Sequence, residues 1–303
     1  MRLSKLAMIP VLLGLTINCA HASLVGMGAD YNVFVFGDFT SSNSDTEGNL
    51  AAGGNVNLQN YSVATKISGN SARLVASGNV TASSGGVGNG QNGTIYTDGS
   101  SNLTSFTATG GISPQSLVDF SQAQSLAQTL STSWGSLAAN GSTSTNYGTL
   151  NLSGSDSALN VFTVSGGDLT NTNAVNIDVT AGSTVLINVT GSGQIFQNGQ
   201  VTLTGIDAAH ILYNFSESTA LTLAGSKNPF GSLFAPFADV TGGYGALDGQ
   251  LIAQSFSGNT EFHNSLFAGN LPSGTEVPVP ATAWLFVSAL VLLGSAGRKK
   301  RLL

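Results

Sequence analysis

The sequence predicts an all-β fold, a parallel β-solenoid with one long α-helix packed along it. Three observations support this prediction: short segments that alternate apolar and small polar residues, a strand-sized motif that recurs about every twenty residues, and one stretch with helical periodicity. Alternation with a period of two is typical of half-buried strands, and recurrence at a longer spacing is typical of stacked coils. Because the repeat is imperfect, a sandwich of two sheets is the alternative.

The predicted strands are bounded by Gly, Asn and Asp, the residues that favour turns. These strands are NVFVFG (32–37), ALNVFTV (158–164), STVLINV (183–189), QVTLTGI (200–206), HILYNF (210–215) and ALTLAG (220–225).

The recurring motif is a threonine between two apolar residues. It occurs at Thr163, Thr184, Thr202 and Thr222, which are 21, 18 and 20 residues apart. A second repeat, AAGGNV (51–56) and VASGNV (75–80), has a spacing of 24. Because side chains alternate faces along a strand, we expect the apolar neighbours to point inward and one threonine per coil to point outward.

The single helical stretch covers about residues 113–140. Its apolar residues would form one face of a helix: Leu117, Phe120, Ala123, Ala127, Leu130, Trp134, Leu137 and Ala138. Ser113 would cap the helix, Pro114 would occupy its first position, and Asn140-Gly141 would end it. Since an apolar helix face must be buried, we expect this one to pack on a side of the solenoid.

The N-terminal residues 1–22 are typical of a secretory signal peptide. A basic start and an apolar stretch precede Ala20 and Ala22, which supply the small residues of a cleavage site. We therefore expect residues 23–276 to form one exported domain. The single cysteine, Cys19, would leave with the signal peptide, so this domain would contain no disulfide.

The C-terminal residues 277–303 combine a proline pair, an apolar run and a basic cluster. Pro278 and Pro280 precede residues 281–297, a run that is just long enough to span a bilayer as a helix. The basic cluster would stay in the cytoplasm, and it consists of Arg298, Lys299, Lys300 and Arg301. We expect a transmembrane segment within a removable sorting signal, and a permanent anchor is the alternative.

The predicted exported domain is strongly acidic. It contains all fifteen Asp and Glu residues but only three basic ones, Lys66, Arg73 and Lys227. Nucleic-acid binding needs a basic surface, so we expect no nucleic-acid partner. Enzymes that act on acidic polysaccharides also need cationic groups at the sugar carboxylate, which makes such an enzyme the less expected class.

The candidate metal ligands are few. Glu261 and His263 would share one strand face, but two ligands are fewer than a zinc site requires. Asp38, Asp45 and Glu47 lie within ten residues, where bound calcium is possible, although Asp side chains more often form turns. A nucleophilic triad is also hard to build from two histidines. We therefore predict no catalytic, cofactor-binding or metal-binding residue.

Several blocks of the sequence resemble the choice-of-anchor A family of bacterial surface proteins. The opening block is DYNVFVFGDFTSSNSDTEGNLAAGGNVNLQNYSV (30–63), and the closing blocks are HILYNFSESTALTLAG (210–225), SLFAPFADV (232–240), DGQLIAQSF (248–256) and EFHNSLFAGNLP (261–272). The tail is similar to a PEP-CTERM sorting signal.

The resemblance implies a β-solenoid with a flanking helix, similar to the ice-binding fold. It also implies a precursor tethered to the inner membrane, an export machinery and an exosortase as partners, and a mature protein at the cell surface. The expected function is a non-enzymatic adhesive or structural role in the extracellular matrix. The alternatives are a solenoid module that binds polysaccharide or ice and, less expected, an enzyme that acts on polysaccharide.

Overall fold

A computed structural model describes residues 21–22, 28–191, 194–196, 200–223 and 229–273 of the chain. These residues form two α-helices, α1 (Phe120–Gly135) and α2 (Gly166–Asn171), and two 3₁₀ turns, Gly69–Ser71 and Ala208–His210. Their strands are β1 His21–Ala22, β2 Tyr31–Val35, β3 Phe39–Thr46, β4 Asn49–Ala52, β5 Val56–Val63, β6 Arg73–Ala76, β7 Val80–Val87, β8 Thr94–Thr97, β9 Ser101–Thr107, β10 Ile112–Ser113, β11 Ser142–Asn146 and β12 Thr149–Gly154. The strands continue with β13 Leu159–Ser165, β14 Ala174–Val179, β15 Thr184–Thr190, β16 Gln194–Phe196, β17 Gln200–Thr204, β18 Ile211–Asn214, β19 Ala220–Leu223, β20 Ser232–Gly242, β21 Ala246–Asp248, β22 Leu251–Gly258, β23 Glu261–His263 and β24 Leu271–Pro272.

The predicted ends of the chain lie almost wholly outside this description. Residues 277–303, with the predicted transmembrane segment 281–297 and sorting signal, are not among the described residues. Within the described ranges, no helix has the length and apolar character needed to cross a membrane. Of the predicted signal peptide only His21–Ala22 is described, and it pairs antiparallel with β24.

The strands wind in coils that stack in parallel. Four successive coils, β2–β3, β4–β5, β6–β7 and β8–β9, pair strand to strand. Ala51 pairs with Val75, and Val56 pairs with Val80. The 24-residue repeat of the sequence therefore equals one coil, and this pairing confirms the predicted stacking of parallel strands.

The order of the coils in space differs from their order along the chain. β2 lies between β4 and β22, and β3 likewise lies between β5 and β22. The first coil of the chain is thus stacked directly on the last one. Two Asn32 hydrogen bonds add to this junction, because its Nδ2 donates to the backbone oxygens of Gly249 and His263, at 3.0 and 2.9 Å.

The main sheet has two sides, which we call the helix side and the open side. The helix side runs β13–β15–β18–β20–β22–β2–β4–β6–β8–β10. The open side runs β16–β19–β20–β22–β3–β5–β7–β9, with the long strands β20 and β22 contributing to both sides. A separate four-stranded sheet contains β11, β12, β14 and β17.

The helix-side strands are buried on both faces, because the solenoid core covers one face and α1 covers the other. Val33 and Val35 point into the solenoid core, whereas Phe34 between them belongs to the cluster under the helix. From α1, Trp134 is fully buried against Phe234, with ring centroids 5.0 Å apart, and its Nε1 donates to the backbone oxygen of Pro272 at 2.8 Å. The predicted packing of one helix against the sheet is confirmed.

The start of this helix was predicted wrongly. Asp119, and not Ser113, is the N-cap, and its side chain accepts a hydrogen bond from the backbone N–H of Gln122. Ser113 instead ends the short strand β10, and Leu117 is 46% exposed. The strand continues past Pro114 because Ile112 and Ser113 pair with β8, and this pairing overrides the local helix signal.

The predicted outward column formed by Thr163, Thr184, Thr202 and Thr222 is also wrong. Thr184 is buried and its Oγ1 accepts a hydrogen bond from Asn270 N–H, while Thr202 belongs to the separate four-stranded sheet. Each coil contributes strands to more than one side, so a spacing near twenty residues moves from one side to another. The 24-residue repeat stays in register because it matches a whole coil.

Candidate functional site

The open side carries columns of small polar side chains that face away from the core. Its first column has one exposed residue on each of seven neighbouring strands, in register: Thr222, Thr241, Ser257, Thr40, Asn57, Thr81 and Asn102. Apolar residues alternate with these positions and point into the core, as the period of two requires. In β5, for example, Val56 and Leu58 are buried while Asn57 is exposed.

A second column lies two residues further along four of these strands. It consists of Ser42, Gln59, Ser83 and Thr104, which pair across β3, β5, β7 and β9. The two columns line a shallow groove whose walls also include Ser41, Leu58, Gly258 and Asn259. No member of either column carries a charge.

A corner closes the columns at one edge. The next residue of each of the four strands has a positive φ between 48° and 57°: Asn43, Asn60, Ser84 and Ser105. Asn tolerates this left-handed conformation better than most residues, and Asn60 Nδ2 donates to Asn43 Oδ1 at 3.1 Å. The repeated corner holds the polar columns in a fixed register. We call the two columns and this corner the polar face.

A second group of functional side chains lies at the junction of the first and last coils. Glu47 follows β3, and Glu261 and His263 lie on β23. One potential ligand atom from each of these residues lies within 4.8 Å of the others. Within the part of the chain that the structure describes, this is the one such group of three or more acidic, histidine or cysteine side chains.

His263 is held by a neighbouring carboxylate. Its Nδ1 lies 2.7 Å from Oδ1 of Asp248 on β21, and its Nε2 lies 3.5 Å from Oε1 of Glu261. Partial burial lowers the pKa of His263, but the hydrogen bond to Asp248 and the charges of Asp248, Glu261 and Glu47 outweigh it, so that the pKa is raised.

The sequence identified Glu261 and His263 as a pair but missed their partners. Glu47 was expected to cluster with Asp38 and Asp45, whereas each of those residues bonds elsewhere: Asp38 accepts from Asn55 N–H, and Asp45 accepts from the hydroxyl of Thr65. Asp248 had no local signal. Since Glu47 lies 214 residues before Glu261, only the pairing of the first coil with the last could reveal the group.

The remaining predicted site residues are Ala20, Ala22 and the tail residues. Ala22 pairs with Leu271 in a two-stranded sheet, and Ala20 is not among the described residues. The sorting-signal residues Pro278, Pro280, Arg298, Lys299, Lys300 and Arg301 also lie outside the description. Their predicted roles stay predictions.

Comparison with known proteins gives one extended match. A family model described as "Putative Ice-binding-like adhesive domain" matches residues 24–264. No protein of curated function matches the chain. Two similar solved structures are an ice-binding protein from an Antarctic biological consortium, with 14% identity, a TM-score of 0.36 and coverage of 88% of this chain and 97% of that one, and an ice-binding protein from the Antarctic ascomycete Antarctomyces psychrotrophicus, with 12% identity, a TM-score of 0.34 and coverage of 79% and 98%.

Proposed function

Because the chain belongs to the family of ice-binding-like adhesive domains, we propose that it is an exported, non-enzymatic surface protein that adheres through the polar face. The observation that carries this proposal is the first column of that face. Seven exposed Thr, Ser and Asn side chains follow one another on neighbouring strands without a charge or a bulky residue between them.

The chemistry of the polar face suits an uncharged, hydroxyl-rich partner. Hydroxyl and amide groups both donate and accept hydrogen bonds, and neighbouring strands repeat them about every 4.8 Å. The backbone beneath them is fixed by pairing on both sides, so little conformational entropy is lost on binding. Extracellular polysaccharide is therefore the partner that we propose, and other surface proteins that display such groups would fit as well.

Ice is the second candidate partner. The family description itself includes likeness to ice-binding proteins, and a flat array of Thr, Ser and Asn offers no charge that would disturb a water lattice. The columns mix three residue types and two side-chain lengths, which makes a regular lattice match poorer than a pure threonine array would give. We therefore place polysaccharide first.

We further propose that the protein reaches the surface through its two ends. Residues 1–22 would direct export, and residues 277–303 would hold the precursor in the inner membrane until an exosortase removes the tail, as in the choice-of-anchor A proteins that the sequence resembles. In a host with such an enzyme, replacing Pro278 and Pro280 with Ala is expected to trap a larger membrane-bound precursor. Mass spectrometry tests this proposal, and a surface protein that retains Leu303 would contradict it.

The adhesive proposal predicts the effect of a bulky residue on the polar face. Thr81→Tyr keeps a good strand former but places a large ring in the middle of the first column. We expect binding to a surface coated with a neutral polysaccharide to weaken at least about tenfold, which corresponds to roughly 1.4 kcal/mol. Stability should change by no more than about 0.5 kcal/mol, because the position is exposed.

The matched control is Thr163→Tyr. Thr163 is likewise an exposed threonine in a strand, but it lies on β13, away from the polar face. Equal losses of binding in the two variants would show that adhesion does not use the polar face. Measuring the growth of ice crystals with the same proteins distinguishes the ice candidate, and release of reducing sugar from the polysaccharide would contradict a non-enzymatic role.

A further inference from the structure

We propose that Glu47, Glu261 and His263 bind one Zn²⁺ ion, which fastens the first coil of the solenoid to the last. This site is separate from the polar face and does not depend on the adhesive proposal. Its three residues combine imidazole and carboxylate ligands, the set that zinc commonly uses in proteins.

The orientation of His263 supports a metal ligand. In metal sites, the histidine nitrogen that does not bind the ion commonly donates to a carboxylate, which fixes the ring and its tautomer. Here Nδ1 is engaged by Asp248 at 2.7 Å. In the neutral form this contact places the proton on Nδ1 and leaves the lone pair of Nε2 directed toward Glu261.

The distances fit tetrahedral coordination. With zinc bonds of about 2.0–2.2 Å, two ligand atoms of a tetrahedral site lie about 3.3–3.6 Å apart. The separation between His263 Nε2 and Glu261 Oε1 is 3.5 Å. The Glu47 carboxylate completes a group that spans no more than 4.8 Å, so a small side-chain rotation would bring it into the same coordination sphere, and water would supply the fourth ligand.

The charge balance also favours a divalent cation. Three carboxylates, those of Glu47, Glu261 and Asp248, surround one imidazole. The nearest ammonium group is Lys66 Nζ, 3.7 Å from Glu47 Oε1, and its side chain is 63% exposed. Lys66 can therefore turn away into solvent. Calcium is a poorer fit, because it prefers six to eight oxygen ligands and does not favour imidazole nitrogen.

The location gives the ion a structural role. Glu47 lies at the end of β3, whereas Glu261 and His263 lie on β23, and the backbone N–H of Glu47 donates to Phe262 O at 2.8 Å beside them. The ligands thus come from the two ends of the domain. An ion that binds only the folded arrangement stabilises it in proportion to its occupancy, and here it would stabilise the contact between these two coils.

The test uses the full-length chain, purified in detergent and stripped of metal with a chelator. Isothermal titration with Zn²⁺ should give one site per chain, and saturating Zn²⁺ should raise Tm by about 5 °C. Glu47→Gln, Glu261→Gln and His263→Gln should each weaken zinc binding at least about tenfold, because each removes one ligand. Hydrogen exchange at the Glu47 amide should slow on zinc binding in the wild-type protein.

His210→Gln is the matched control. His210 Nδ1 lies 2.7 Å from Asp207 Oδ1, so this pair repeats the contact of His263 with Asp248 without a third potential ligand among the described residues. This variant should bind zinc like the wild type. Unchanged binding in Glu47→Gln, a loss that follows His210 instead, or an equal rise in Tm with Ca²⁺ would each overturn the proposal. If one variant fails to fold, the other two isosteric variants decide.

Discussion

Phe39→Ala is expected to lower the free energy of unfolding by about 3–5 kcal/mol, the range for removing a fully buried phenylalanine. Phe39 is 0% exposed and lies where the first coil meets the last. Its ring stacks on Phe256 with centroids 5.2 Å apart and an interplanar angle of 22°, and it also contacts Tyr61 and Phe262, at 5.9 and 6.4 Å. Urea denaturation followed by circular dichroism measures the loss.

The control for this prediction is Phe230→Ala. Phe230 is 37% exposed and should lose much less stability, since part of its ring already contacts water. A loss at Phe39 no larger than that at Phe230 would mean that the contact between the first and last coils contributes little. The double variant Phe39→Ala/Phe256→Ala should destabilise by less than the sum of its single variants, because the two rings share one contact.

Asn214→Ala is expected to lower the free energy of unfolding by about 3–4 kcal/mol, since each buried polar group left without a partner costs about 1–3 kcal/mol. Asn214 is 0% exposed and lies under α1. Its Nδ2 donates to Ser131 O and to Asn188 Oδ1, both at 2.9 Å, and its Oδ1 accepts from the Ser131 hydroxyl at 2.6 Å. The variant leaves that hydroxyl and the Asn188 oxygen without this partner. Thermal denaturation should show a fall in Tm of about 10 °C.

Two further variants test whether this network is the cause. Asn60→Ala removes an exposed asparagine that bonds to Asn43 at the corner of the polar face, and it should cost no more than about 0.5 kcal/mol. Adding Ser131→Ala to Asn214→Ala should cost less than Ser131→Ala does alone, because the hydroxyl has already lost its acceptor. Strict additivity would contradict a shared network.

The buried network also explains how the helix is oriented on the sheet. Apolar packing by Phe120, Ala127 and Trp134 favours burial of this face without fixing its position along the strands. The polar contacts are directional: Asn188 Nδ2 donates to Trp134 O at 2.7 Å, and Asn214 bonds Ser131 one turn earlier. These bonds specify one register between α1 and the strands β15 and β18.

The sequence by itself determined the local structure of most of the domain. Each segment predicted as a strand contains one, from β2 near residues 32–37 to β19 near 220–225, because alternation of apolar and polar residues is a property of the segment alone. The AAGGNV repeat likewise predicted the pairing of Ala51 with Val75, since one period equals one coil. The buried face of α1 followed from residue spacing in the same way.

Only the tertiary structure decided which distant segments meet. The stacking of the first coil on the last depends on complementary packing around Phe39, and no local pattern near Phe39 specifies a partner as distant as Phe256. This contact alone brings Glu47 to Glu261 and His263 and places Ser257 next to Thr40 in the polar face. Alternation fixes which way a side chain points but not which strand lies beside it, because pairing between strands is set by the free energy of the assembled core.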